Sequence, residues 1–160
     1  MPPVPPDVLV EGEPVPPLAA HWIVEGTVRQ LGPTGAADLG RLEVAEVPAP
    51  ADGRASVEIR HPTLPPTMYV TLFDRLDERG HPAGPGRRVD CTVTSSACSV
   101  RRDVDRLRLE VRTEPWTRLL VLQVAYTVWP EDARGVPAAP DLVTASWGAC
   151  LVPDAPVSDS

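Results

Sequence analysis

Two tryptophans and a row of arginines are the side chains of this sequence best suited to meet a ligand or a partner. Trp116, in "EPWTR", follows a proline at a turn, and Trp129 ends an apolar run just before Pro130. An indole placed this way offers a flat face for a sugar ring, or a knob for a pocket on another protein. The competing expectation is that both rings plug the open ends of a core. The segment "DRLRLEVR", residues 105 to 112, alternates strictly, so Arg106, Arg108, Glu110 and Arg112 share one side of a strand. Alternate residues there stand about 6.5 to 7 Å apart. Left unpaired, such a row grips phosphates or an acidic protein. Asp103, Asp105 and Glu110 lie in the same segment, and Glu43, Glu58 and Asp90 fall on outward positions elsewhere. The pattern therefore predicts that cross-strand carboxylates and solvent face the arginines.

Other chemistries have weaker support. Asp74, Asp77, Glu78 and His81 cluster in "FDRLDERGHPAGPG", and Asp103 and Asp105 in "RRDVDR". Brought to one end of a sandwich, these carboxylates would suit calcium. Arg75, Arg79, Arg101, Arg102 and Arg106 interleave with them, which predicts ordinary surface pairs instead. The three histidines, His21, His61 and His81, lack the tight spacing of a zinc site, so neither a metal nor a cofactor is expected. No GxSxG elbow, Walker loop, GxGxxG, HExxH or paired CxxC occurs, and no catalytic residue is nominated. An enzyme on this chain would have to work by enclosing a hydrophobic substrate in a small barrel.

The 160 residues suit one domain able to bury a core without staples. All 15 basic residues are arginine, and lysine and asparagine are absent, the coding bias of a GC-rich genome of actinobacterial type. Arginine richness consequently says little about function. The net charge of −7 argues against general affinity for nucleic acid or an anionic membrane. No stretch approaches the roughly 20 apolar residues of a helical span, and the first residues lack the charged and apolar regions of a signal peptide, so a cytoplasmic location is expected. Three cysteines agree with that compartment. With a two-residue turn at Ser95 and Ser96, Cys98 falls opposite Val93 and misses Cys91, so no local bridge is implied.

The elements that must position these groups are strands. Period-two alternation recurs along the chain: Trp22, Val24 and Val28; Leu42 and Val44; Val57 and Ile59; Val89, Cys91 and Val93. "TMYVTLFDRL" and "RLLVLQVAYTVW" are apolar on both faces, and "LVTASWGACLV" closes the set. Trp22 and Trp147 are in phase with inward residues and belong to the core. No helical stripe is sustained; the nearest candidate, "TGAADLGRLEVAE", is broken by Gly40, which leaves room for one short helix at most. Joints at 31 to 40, 48 to 54, 77 to 87 and 130 to 141 read as loops. About eight strands with Pro- and Gly-rich turns predict an all-β antiparallel sandwich, jelly-roll or immunoglobulin-like, over residues 18 to 152. Residues 1 to 17 hold seven prolines and read as an extended, polyproline-II-like arm, removable with little loss of stability, or as a strap laid on the domain, with proline-motif spacings; 153 to 160 read as a tail.

The function expected from these features is a non-enzymatic sandwich that binds another protein, as an adaptor or a subunit of an assembly. The alternative is a binder of a small ligand or carbohydrate through Trp116, Trp129 and loop carboxylates. A filled core favours the first and a concave cavity the second.

Overall fold

The computed structural model describes residues 2–24, 27–31, 44–128 and 141–153. Their strands, in chain order, are β1 (Val8–Val10), β2 (Glu13–Val15), β3 (Pro17–Val24), β4 (Thr27–Leu31), β5 (Ala45–Pro48) and β6 (Arg54–Ile59). β7 (Thr67–Phe73), β8 (Arg87–Asp90), β9 (Cys98–Arg102), β10 (Leu107–Arg112), β11 (Leu119–Val128) and β12 (Asp141–Val152) follow. No helix occurs among the described residues. Trp129, Glu43, most of the two joints at 31–40 and 130–141, and the tail beyond Pro153 lie outside them.

The strands form two packed sheets. The five-stranded sheet runs β2-β1-β6-β10-β9, and the seven-stranded sheet runs β4-β3-β12-β11-β7-β8, with β5 beside β12. All pairs are antiparallel except β5 with β12. Between the sheets lies one continuous apolar cluster, to which the alternation of each strand contributes its inward residues: Leu107, Leu109 and Val111 from β10, and Leu120, Leu122 and Tyr126 from β11. Trp22 and Trp147 are both buried, and Trp22 meets Tyr126 edge to face at 5.7 Å. A sandwich of this kind is what period-two patterning dictates, since each sheet has one face to hide.

The strand count exceeds eight because two expected features turn out otherwise and because Cys98–Arg102 adds a strand, β9, that the alternation does not single out. Residues 2–17 do not form a solvated arm: they supply two strands of the five-stranded sheet, and Val8, Val10 and Val15 are buried. Glu11 and Gly12, with φ of 52° and 80°, make a two-residue turn of the type that matches strand twist. Glu11 ties that turn to β6, its N–H donating to the Ser56 carbonyl at 2.8 Å and its carboxylate accepting from the Ser56 N–H at 2.8 Å. Likewise "HWIVEGTVR" is a hairpin, with Ile23 opposite Val28, so Val28 turns outward and is exposed. In β5 the buried residue is Val47, so the inward phase there is the opposite of the one that Val44 predicts.

A second correction concerns the cysteines. Cys91 and Cys98 form a disulfide, with Cα atoms 5.5 Å apart, and both are fully buried. A hairpin register does not apply, because β8 and β9 belong to different sheets. Residues 91–97 cross from one sheet to the other, and the bridge clasps the two sheets at that crossing. Val93, expected inside with Cys91, is 68% exposed on this loop.

Candidate functional site

The outer faces of the two sheets differ in chemistry. On the five-stranded sheet the arginine row finds carboxylates. Arg106 lies bidentate on Asp105, with Nε and Nη2 each 2.9 Å from an oxygen, and its Nη1 donates to Glu58 at 2.7 Å. Arg108 Nε lies 2.8 Å from Asp103, which Arg101 approaches at 3.8 Å. Arg54 reaches Glu110 at 3.8 Å. The hydrogen bond from Arg106 holds Asp105 below the ordinary carboxylate range, and Asp105 in turn raises the Arg106 guanidinium further above its usual value. Arg112 stands apart: its cross-strand neighbour is Arg54, and Arg87 donates to its carbonyl at 3.2 Å. The row nominated as a candidate binding surface is thus mostly committed to its own neighbours, as its flanking carboxylates predict and as a solvated sheet face is.

The loop carboxylates and histidines are used locally as well. Asp77 accepts backbone N–H groups from Arg79 and His81 at 2.8 and 2.9 Å, and the His81 bond is the main reason its carboxyl is held low. His61 accepts the Thr63 N–H at 3.2 Å, and burial lowers its pKa. Among the described residues no three His, Cys, Asp or Glu side chains converge as a metal site would require.

The outer face of the seven-stranded sheet is of another kind. By register and alternation, the outward positions from β3 to β7 include Ala19, His21 and Ile23, then Leu142, Thr144 and Ser146, then Val121, Gln123, Ala125 and Thr127, then Thr67, Tyr69, Thr71 and Phe73. Among those described there is no Asp, Glu or Arg; charge returns only at the flanks, with Glu46 on β5 and Arg88 and Asp90 on β8. The small residues in the middle leave a groove of about 680 Å³ that crosses β3, β12, β11 and β7. Its floor is Ala19, Ala125, Thr144 and Ser146, with Gln123 among them. Tyr69 forms one wall, and the Arg88 guanidinium sits 3.6 Å over its ring. Gln30 and His21, 3.4 Å apart, form the other. Gln123, Thr144 and Ser146 make no side-chain hydrogen bond to the described protein, so the floor offers uncommitted, uncharged donors and acceptors.

Of the sequence-nominated residues, Trp116 is found exposed, at 62%, on the turn that joins β10 to β11, toward the other end of the same sheet. It does not meet the arginine row. The groove itself has no motif: its lining is Ala, Thr, Ser and Gln, types that single out nothing in a sequence, and only the absence of charge across four outward strand faces could have marked it. Comparison with models of protein families, with curated proteins and with solved structures finds no match to this chain.

Proposed function

We propose that the protein is a binding module that receives an uncharged, extended segment of a partner protein in the groove on the outer face of its seven-stranded sheet. The contrast between the two faces carries this reading. A sheet face that stays in water carries charge, as the five-stranded sheet does with Arg106, Arg108, Glu58 and Asp103. A face stripped of charge over four strands, about 14 Å across at ordinary strand spacing, has the composition of a surface meant to be covered. Within it, the free groups of Gln123, Thr144 and Ser146 match a peptide backbone, which is neutral and carries both donors and acceptors. The filled core argues the same way, because the apolar space between the sheets is taken by the chain's own side chains. The buried Cys91–Cys98 bridge supports a working place in an oxidising compartment in preference to the cytoplasm.

Selection of random linear peptides on the immobilised protein tests this reading, with Ala125→Arg and Ser56→Arg variants in parallel. The expected result is a family of peptides poor in charged residues that lose at least about tenfold in affinity for Ala125→Arg and bind Ser56→Arg unchanged. Peptides rich in acid that depend on Arg108 and Arg112 would overturn it and return the site to the arginine row.

A further inference from the structure

Trp116 belongs to a second, smaller site that the groove does not use. The turn Glu114–Thr117 is closed by the Thr117 N–H on the Glu114 carbonyl at 3.0 Å and by the Glu114 N–H on the Thr117 hydroxyl at 3.1 Å. The next residue anchors it to the sheet, with the Arg118 N–H donating to the Phe73 carbonyl at 2.8 Å. The backbone that carries the exposed indole is therefore fixed, so binding has only the side chain to order there. Beside it is a hollow of about 280 Å³, lined by Phe73, Asp74, Pro85, Arg87, Glu114 and Trp116 among others. Phe73 is itself wedged in place: a Cβ on Gly86 would stand 2.6 Å from its ring, so glycine lets the loop close on it.

The polar groups around the hollow are only lightly engaged. Glu114 has no ion-pair partner among the described residues, and Asp74 has only Arg75, at 4.0 Å, in an exposed pair. Arg87 spends one Nη on the Arg112 carbonyl and keeps other N–H groups. A platform flanked by two carboxylates and a guanidinium offers acceptors and donors together. Each hydroxyl of a sugar is both donor and acceptor, and the C–H face of a pyranose lies flat on an indole. A simple cation would meet repulsion from Arg87, and a simple anion from Asp74 and Glu114. The volume suits one ring.

We propose that the hollow between Trp116, Asp74, Glu114 and Arg87 binds a single neutral pyranose by stacking on the Trp116 indole. The site is separate from the peptide groove, and its test does not depend on that reading.

The test follows the Trp116 indole N–H resonance of the full-length protein during titration with the methyl glycosides of glucose, galactose, mannose and N-acetylglucosamine. Tetramethylammonium and glucuronate serve as cationic and anionic comparisons. The expected result is a saturable shift with at least one neutral glycoside, at a dissociation constant of about 1 to 10 mM, as fits one stacked ring. Binding, followed through the glycoside signals by saturation transfer, is lost in Trp116→Ala and weakened about tenfold in Glu114→Gln. It is unchanged in Ala125→Arg, which keeps this result distinct from the fate of the groove. Trp116 is exposed, so an unaltered melt is expected to certify the variants. The proposal is overturned if none of the four glycosides shifts the resonance, if Trp116→Ala binds as well as wild type, or if either charged probe binds more tightly than every glycoside.

Discussion

The Trp22 indole N–H donates to the Pro2 carbonyl at 3.2 Å, across twenty positions of chain, in a buried setting. One contact thus joins Pro2 to one of the two largest buried side chains of the core. It satisfies a donor that the core could not leave bare, because a buried unpaired N–H costs about 1 to 3 kcal/mol. It also places the first residues inside the fold, continuous with the β1–β2 hairpin.

Deletion of residues 1–16 is therefore expected to destroy the cooperative melt. Three buried valines leave with the hairpin, worth about 5 kcal/mol or more together, which is of the order of a whole domain's stability. Circular dichroism against temperature checks this; a truncated protein melting within a few degrees of wild type, about 1 kcal/mol on the usual scale, would contradict it.

Leu122 is fully buried at the middle of β11, with Trp147 and Val70 as its neighbours across the two ladders. Leu122→Ala is expected to cost about 2 to 5 kcal/mol through lost transfer energy and the cavity left behind. Urea unfolding measures it, and a change below about 1 kcal/mol would remove β11 from the centre of the sheet.

Loss of the Cys91–Cys98 clasp, by reduction or by the double change to Ala, is expected to cost about 2 to 3 kcal/mol, the loop-closure value for a bridge of this short span. Cys150→Ser is expected to change little, since that thiol is unbridged. Burial, with Glu46 adding to it, pushes the Cys150 thiol up, so it should also alkylate slowly. Thiol counting in denaturant should give one free thiol before reduction and three after; three throughout would exclude the bridge.

Tyr126 supplies a pH test. Burial raises its phenol from 10.0 to about 12. The folded state holds the proton that the unfolded chain releases near pH 10, so this contribution to stability is whole below that pH and is lost as pH rises toward 12. Tyr126→Phe should therefore flatten the alkaline limb of the stability profile. At the acid end the sign reverses: Asp105, held low by Arg106, stabilises the fold above its unfolded value of 3.8, a contribution lost as pH falls through its lower folded value. A Tyr126→Phe profile superimposable on wild type above pH 10 would contradict the burial of the phenol.

The sandwich was legible because alternation is a direct record of which face is buried: Leu107, Leu109 and Val111 inside, Arg108 and Arg112 outside, as the segment reads. What alternation does not carry is where a chain folds back. In "VLVEGEPV" the Glu-Gly pair is a hairpin signal, hidden by prolines on either side. The same loss of register explains Val28 and Val93, each placed inward by continuing a period past a turn. The bridge was missed for a topological reason, because Cys91 and Cys98 meet between sheets and no in-sheet register brings them together. The arginine row behaved as its neighbouring carboxylates predicted, whereas the groove arises only when β3, β12, β11 and β7, distant in sequence, lie side by side.

Chemical-shift mapping of the backbone amides on titration with a selected peptide locates the bound segment on one sheet face or the other. Perturbations are expected to centre on Gln123, Ala125, Thr144 and Ser146 and to extend to Tyr69 and His21, with the amides of Ser56, Arg101 and Arg108 unmoved. Perturbations confined to the Arg101–Arg108 side, with Gln123 and Ser146 unchanged at saturation, would contradict binding in the groove.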